Sequence, residues 1–230
     1  AYTGLTAFLC CCAAGHAECV SALVAARCDV AALAGGGTTA LMLAAGSGSK
    51  ETVQVVLKAG TLDLEARDQH GYTAFLWACV GSQHEKKCRI GLSSISLRGS
   101  AECMAVLAKA GCDTSVCVGG RTGLMLAVGE DNETIVRAII DNKYCDLEYC
   151  VSSDDESGFT AFLIAVKMGF IGCMTALRDA GCNTAAQGTN GETALMLAVM
   201  GHRVDMLRAL LAPGDADLEV RAEAGMTAFL

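Results

Sequence analysis

The sequence predicts an all-α protein, a solenoid of stacked helix–turn–helix units joined by interrepeat loops. Three observations predict it. A block beginning Gly-x-Thr opens at Gly4, Gly37, Gly71, Gly120, Gly158, Gly191 and Gly225, at spacings of 33, 34, 49, 38, 33 and 34 residues. A recurring period in this range marks a repeat architecture, in which no unit hides its apolar face alone. Composition agrees: 53% of the residues are apolar, 5% are aromatic and Pro occurs once. Ala, Leu and Met are good helix formers, and Ala suits close helix contacts. Finally, apolar residues within each unit recur at helical spacing.

Each element of the unit follows from local chemistry. Gly marks a turn. The Thr two residues later starts a helix, because its hydroxyl can accept a bond from an orphan backbone N–H. A short apolar helix follows, as from Thr193 to Met200. A Gly-containing turn comes next, as in Gly15-His16 or Gly201-His202. The second helix carries an apolar stripe: Val20, Leu23 and Val24 in one unit, Ile135, Val136, Ile139 and Ile140 in another. An Asp- or Asn-bearing loop closes the unit, as in Cys28-Asp29 or Asp63-Leu64. This register predicts a single array over 1–230. Its units lie at about 4–36, 37–70, 71–119 (with an insertion at 82–98), 120–157, 158–190, 191–224 and, in part, 225–230. Residues 7–26 are about long enough to span a membrane. Gly15-His16 and Glu18 interrupt them, so two short helices are expected and no membrane insertion.

These blocks resemble the ankyrin repeat, whose pattern reads G-x-T-P-L-H-x-A-A, then G-H, an apolar helix and G-A-D. The resemblance covers essentially the whole chain, in six near-complete copies and the start of a seventh. The family's Pro is replaced by Ala, or by Gly at Gly123, and its His by Leu or Met. The turn is therefore expected to lean more on apolar packing. A two-unit period lies over the single one. Odd units read Thr-Ala-Phe-Leu and close with Cys28-Asp29, Cys112-Asp113 or Cys182-Asn183. Even units read Leu-Met and close with Asp63-Leu64-Glu65, Asp146-Leu147-Glu148 or Asp217-Leu218-Glu219. Phe is expected to alternate with Leu at one core slot. The block at the C-terminal end, with Phe229-Leu230, reads as an array cut from a longer protein or one that continues.

The 14 cysteines read as core residues rather than ligands. Cys19, Cys103 and Cys173 share one slot of the second helix. Cys28, Cys112 and Cys182 share the slot before Asp. Cys11, Cys12 and Cys79 fall on the family's paired-Ala slots. A free Cys behaves as a small hydrophobe. No C-x-x-C pair exists, so no metal site is expected. Equivalent cysteine slots in successive odd units lie two repeats apart, beyond disulfide reach, so no disulfide framework is expected. Cys88, Cys117 and Cys150 are expected to be the exposed thiols. His16 and His202 fall on the family's turn position, His70 in a loop and His84 in the insertion. No nucleophile elbow, phosphate loop or metalloprotease motif is present. Asp154-Asp155-Glu156 reads as a solvated loop. No catalytic residue, cofactor or metal is assigned. The net charge of −8 argues against nucleic-acid binding, which needs a basic stripe. Unpaired thiols suit a reducing, cytoplasmic setting.

The resemblance implies a non-catalytic scaffold that takes a protein or peptide partner on a concave face and its loop tips. Carried onto this sequence, that face includes Tyr72, Arg121, Phe159 and Glu192 just after the turn glycines. Lys167, Met168 and Met200 lie near first-helix ends, and Trp77 lies within a first helix. For Trp77 and Phe159 the alternative is packing against the adjacent unit. In the insertion, Lys86, Lys87, Arg89 and Arg98 outweigh Glu85 and form a basic patch, either a tolerated surface loop or a contact for an acidic partner. Two other functions remain open. One is the targeting arm of a larger enzyme such as a protein kinase, which flanking sequence would reveal. The other is a thiol sensor.

Overall fold

The computed structural model describes residues 4–60, 62–80, 99–151 and 158–212. They form two compact units, Ala1–Val118 and Gly119–Leu230. The first holds α1 (Ala7–Ala14), α2 (Ala17–Ala25), a 3-10 turn (Gly35–Gly37), α3 (Ala40–Ser47), α4 (Lys50–Lys58), α5 (Ala74–Cys79), α6 (Ala101–Lys109) and the two-residue β1 (Cys117–Val118). The second holds β2 (Arg121–Thr122), α7 (Gly123–Gly129), α8 (Glu133–Asp141), α9 (Ala161–Met168), α10 (Ile171–Asp179), α11 (Ala194–Met200) and α12 (Val204–Leu211). In the first unit α1, α3 and α5 pack in one row and α2, α4 and α6 in another. In the second, α7, α9 and α11 form the first-helix row, each paired with the helix that follows it.

One local rule starts every first helix. Thr6, Thr39, Thr73, Thr122, Thr160 and Thr193 each accept the backbone N–H three residues on, at 3.2–3.4 Å. Each such cap contributes about 1 kcal/mol. The turn glycines two residues earlier have φ between 67° and 84°, a region closed to most L-residues. Gly at these places is thus a backbone requirement. The slot two after each Thr holds Phe8, Leu41, Phe75, Leu124, Phe162 and Leu195, all buried. The alternation of Phe and Leu at a core slot is present as expected.

The turn between paired helices needs one correction. Gly15-His16 and Gly201-His202 look equivalent in sequence, but the structure sets them one residue apart. The left-handed residue stands nine after the Thr cap: Gly15, Gly48, Asp131, Gly169 and His202, with φ from 53° to 84°. His202 therefore matches Gly15, whereas His16 matches Arg203, both of which precede a second helix.

The loops after the second helices are Asx turns. Asp29, Asp63, Asp113, Asp146 and Asn183 each accept, on the side chain, the N–H two residues on at 2.8–3.0 Å. Here the two-unit period gains a physical meaning. Glu65 accepts the Asp113 N–H at 2.7 Å, and Glu148 accepts the Asn183 N–H at 2.7 Å. The even-unit Glu thus holds the loop of the following odd unit. Odd units carry Ala31, Ser115 or Ala185 in that slot and have no carboxylate to extend.

The thirteen described cysteines are free thiols. Cys12, Cys79, Cys103, Cys112, Cys173 and Cys182 are buried, as core replacements should be. Burial pushes Cys12, Cys173 and Cys182 up to about 12, and Cys103 and Cys112 up to about 11. Cys11 and Cys28 are only half-buried, and Cys19 is exposed, contrary to its expected core role. The reason is packing. The other second helices bury this slot, but α2 buries only Val20. Of the three thiols expected at the surface, Cys150 is exposed and Cys117 half-buried. Cys88 lies outside the described residues, as do His84, Asp154-Asp155-Glu156 and the seventh block. No helix among the described residues is long and apolar enough to cross a membrane.

Candidate interaction surface

The tips between repeats are small hydrogen-bonded hairpins. In three of them the N–H five residues before the Thr cap bonds the carbonyl just before it: Ala34 to Thr38, Asp68 to Tyr72 and Gly188 to Glu192, at 2.9, 3.1 and 2.9 Å. The residue between the turn Gly and the Thr is thereby held in a fixed place while its identity is free to vary. Tyr72, Arg121, Phe159 and Glu192 occupy that place. Tyr72, Arg121 and Glu192 are half-buried, whereas Phe159 is buried.

The Tyr72 tip, in the first compact unit, is organised by a residue the sequence reading passed over. Asp68 is 6% exposed. Its Oδ1 accepts the N–H groups of His70 and Tyr72 at 2.9 and 3.0 Å, and its Oδ2 accepts the indole Nε1–H of Trp77 at 3.1 Å. A buried carboxylate needs such partners. Trp77 is 1% exposed, so it packs inside and presents no face to a partner. Register could have shown this. Trp77 stands four after its Thr cap, in the slot of Leu43 and Ile164, which are core residues. In the two other tips that share this hairpin, Ala34 and Gly188 hold the place of Asp68, and an acid in a loop gave no signal.

In the second compact unit the candidates converge. The Lys167 ammonium lies 5.0 Å from the centre of the Phe159 ring, a cation–π contact. Phe159 itself is 6% exposed and serves as the floor. Gly188 leaves the room: a Cβ there would lie 2.7 Å from Glu192 Oε2 and 2.8 Å from the Phe159 ring. The Asn190 backbone and side-chain N–H groups both bond the Glu192 carboxylate, at 3.1 and 2.9 Å. Burial alone would raise the Glu192 carboxyl, but those bonds and the Lys167 charge hold it below the ordinary value. Lys167 and Met200 share one register slot, seven after the Thr cap, and both are exposed. Met168 is also exposed, and Met200 is the most exposed large apolar residue described, at 67%. Val199 and Val204 extend the apolar surface beside Met200 in the chain, unmarked by any motif. Lys86, Lys87, Arg89 and Arg98 lie outside the described residues. Among the described residues, no three His, Cys, Asp or Glu side chains are grouped to hold a metal ion.

Thr-capped helix pairs, joined by left-handed turns and stacked in rows, define a repeat protein built from helix–turn–helix modules. The family model "Ankyrin repeats (3 copies)" matches residues 8–92 and 148–222, and the chain belongs to the ankyrin-repeat family. Its fold is similar to the crystal structure of the human ASB11 ankyrin repeat domain. That match has a TM-score of 0.76 and 18% identity, and covers 97% of this chain and 90% of that one. It is also similar to the ankyrin repeat domain of Bcl-3, a member of the IκB family. There the TM-score is 0.73 and the identity 22%, with 98% of this chain and 92% of that one covered. Ankyrin repeats are generally protein–protein interaction modules.

Proposed function

We propose that the chain is a non-catalytic scaffold whose second compact unit takes a protein or peptide on the loop tips and first-helix ends around Lys167. The observation that carries this reading is the gathering of Lys167 and Phe159 against the hydrogen-bonded Gly188–Glu192 tip, with Met168 and Met200 exposed at first-helix ends. Met and Phe are enriched at interface cores, and rim charges steer and register a partner of complementary charge. A rigid tip also loses little conformational entropy when a partner docks. Tyr72 and, by register, Arg121 offer further contact positions, each on its own tip. The basic insertion residues Lys86, Lys87, Arg89 and Arg98 remain candidates for an acidic partner. Unpaired thiols and the interaction role suit an intracellular setting.

The test compares capture from a cell extract by the unaltered chain and by Lys167→Glu combined with Met200→Ser. Partners of the unaltered chain should bind the double variant at least about 10-fold more weakly, with helix content unchanged. Equal retention of every partner would remove this surface from consideration.

A further inference from the structure

The loops that close the first two repeats leave a cavity between them, with both walls in the first compact unit. Val30, Ala32 and Leu33 form one wall and Leu62, Asp63 and Ala66 the other, with the start of α3 behind them. The space measures about 220 Å³. The third residue after each Asx residue explains the room. That slot holds Ala32 and Ala66 in these two loops, Val116 in the third, Tyr149 in the fourth and Ala186 in the fifth. Among neighbouring described loops of one compact unit, only this pair places alanine on both sides. The opening does not depend on position in the array. Leu33, 54% exposed, stands four after its Asx residue, and Arg67, Cys117, Cys150 and Gln187 in that slot are exposed or half-buried in every later described loop. Only the first described loop fills the slot with a large apolar side chain.

The cavity is smaller than the roughly 300–1,000 Å³ of small-molecule sites and has room for one side chain. Its apolar walls favour an aliphatic or aromatic one. Asp63 is the one charged residue in the lining, and it is exposed. Its Oδ1 accepts the Glu65 N–H at 3.0 Å, which holds the carboxylate at the rim. Arg67 is drawn away, towards the carbonyls of Gly71 and Cys117 at 3.2 and 3.4 Å. The net charge of −8 adds a general attraction for cations. We propose that this cavity docks a basic peptide segment of a partner protein. The segment inserts one aliphatic or aromatic side chain between the loops and sets a neighbouring Lys or Arg against Asp63. The site shares no residue with the surface around Lys167, so the two readings fail independently.

A filled chain carries Ala32→Val and Ala66→Tyr, residues that the third and fourth loops already hold in this slot, so it should fold with unchanged helix content. A random-peptide phage library is depleted on the filled chain and then selected on the unaltered one. The enriched peptides should carry Leu, Ile, Met or Phe beside Lys or Arg. Made synthetically and followed by fluorescence anisotropy, they should bind the filled chain at least about 10-fold more weakly. Asp63→Asn keeps the turn, as Asn183 does in the fifth loop, and should weaken them about 3-fold. Lys167→Glu with Met200→Ser should leave their affinity unchanged. In the unaltered chain the peptides should shift the methyl resonances of Leu33, Leu62 and Ala66, a readout that needs no variant. The proposal is overturned if no peptide is enriched, if the enriched peptides are acidic, or if those methyl resonances stay in place. It is also overturned if the unaltered chain forms a dimer that the filled chain lacks, because a second copy then occupies the cavity.

Discussion

α1 and α3 are built on the same plan and meet different surroundings. Both are eight residues long, both begin at a Thr that accepts an N–H at 3.2 Å, and both end at a left-handed Gly. Yet α3 buries every residue from Ala40 to Gly46, while α1 buries only Phe8, Leu9, Cys12 and Ala13. Helix formation in this protein is thus a local matter, whereas burial depends on neighbours. The second helices repeat the lesson, with Cys19 open on α2 where Cys103 and Cys173 are closed on α6 and α10.

The sharpest break in that comparison comes from deletion at one slot. Leu43→Ala should lower stability by about 2–5 kcal/mol. Cys10→Ala at the matching, half-buried place should lower it by less than about 1 kcal/mol. Urea unfolding followed by circular dichroism measures both, and equal losses would mean α1 is covered as fully as α3. Next in size is thiol chemistry. In the folded chain at pH 8, iodoacetamide should label Cys19 on the order of 100-fold faster than Cys103 or Cys173, whose raised pKa leaves little thiolate. Because burial raises these thiols in the folded state, their contribution to stability is complete below the ordinary thiol pKa. It is lost as pH climbs toward about 11 for Cys103 and about 12 for Cys173, so the urea midpoint should fall over that window.

Caps should behave oppositely to core slots. Thr6→Ala and Thr39→Ala should each lose about 1 kcal/mol, and by similar amounts, because the bond is local. A cap effect that tracked burial would blur the distinction. The smallest contrast lies in the left-handed turn. Gly15→Ala should destabilise by about 1 kcal/mol, since φ is 74° and a Cβ would lie 3.2 Å from Ser49 Cβ. His202→Gly, at the matching exposed place, should change stability by less than about 0.5 kcal/mol, as relief of backbone strain offsets chain entropy.

What was legible in the sequence is what nearest neighbours along the chain decide. The Thr caps, the turn glycines and the Phe–Leu core slot all follow from spacing. Trp77 was readable too, had its register been weighed above its aromatic character. Cys19 was not, because its exposure depends on whether another helix lies over α2. The Glu65 and Glu148 bonds were half visible. Their motif recurs, but they reach loops 48 and 35 residues away in the chain, and only the folded stack equalises those distances. The tip around Lys167 was assembled from residues named separately, and Asp68 was not named at all.

The carboxylate that ties an even loop to the next odd one sets a practical unit for anyone who would lengthen or shorten this protein. Cutting between Asp-Leu-Glu and its receiving loop strands an acid and frees a backbone donor. Splicing in whole doublets, each keeping its own Glu and its own acceptor turn, preserves every such tie. Modules grafted from this chain should therefore be counted in twos.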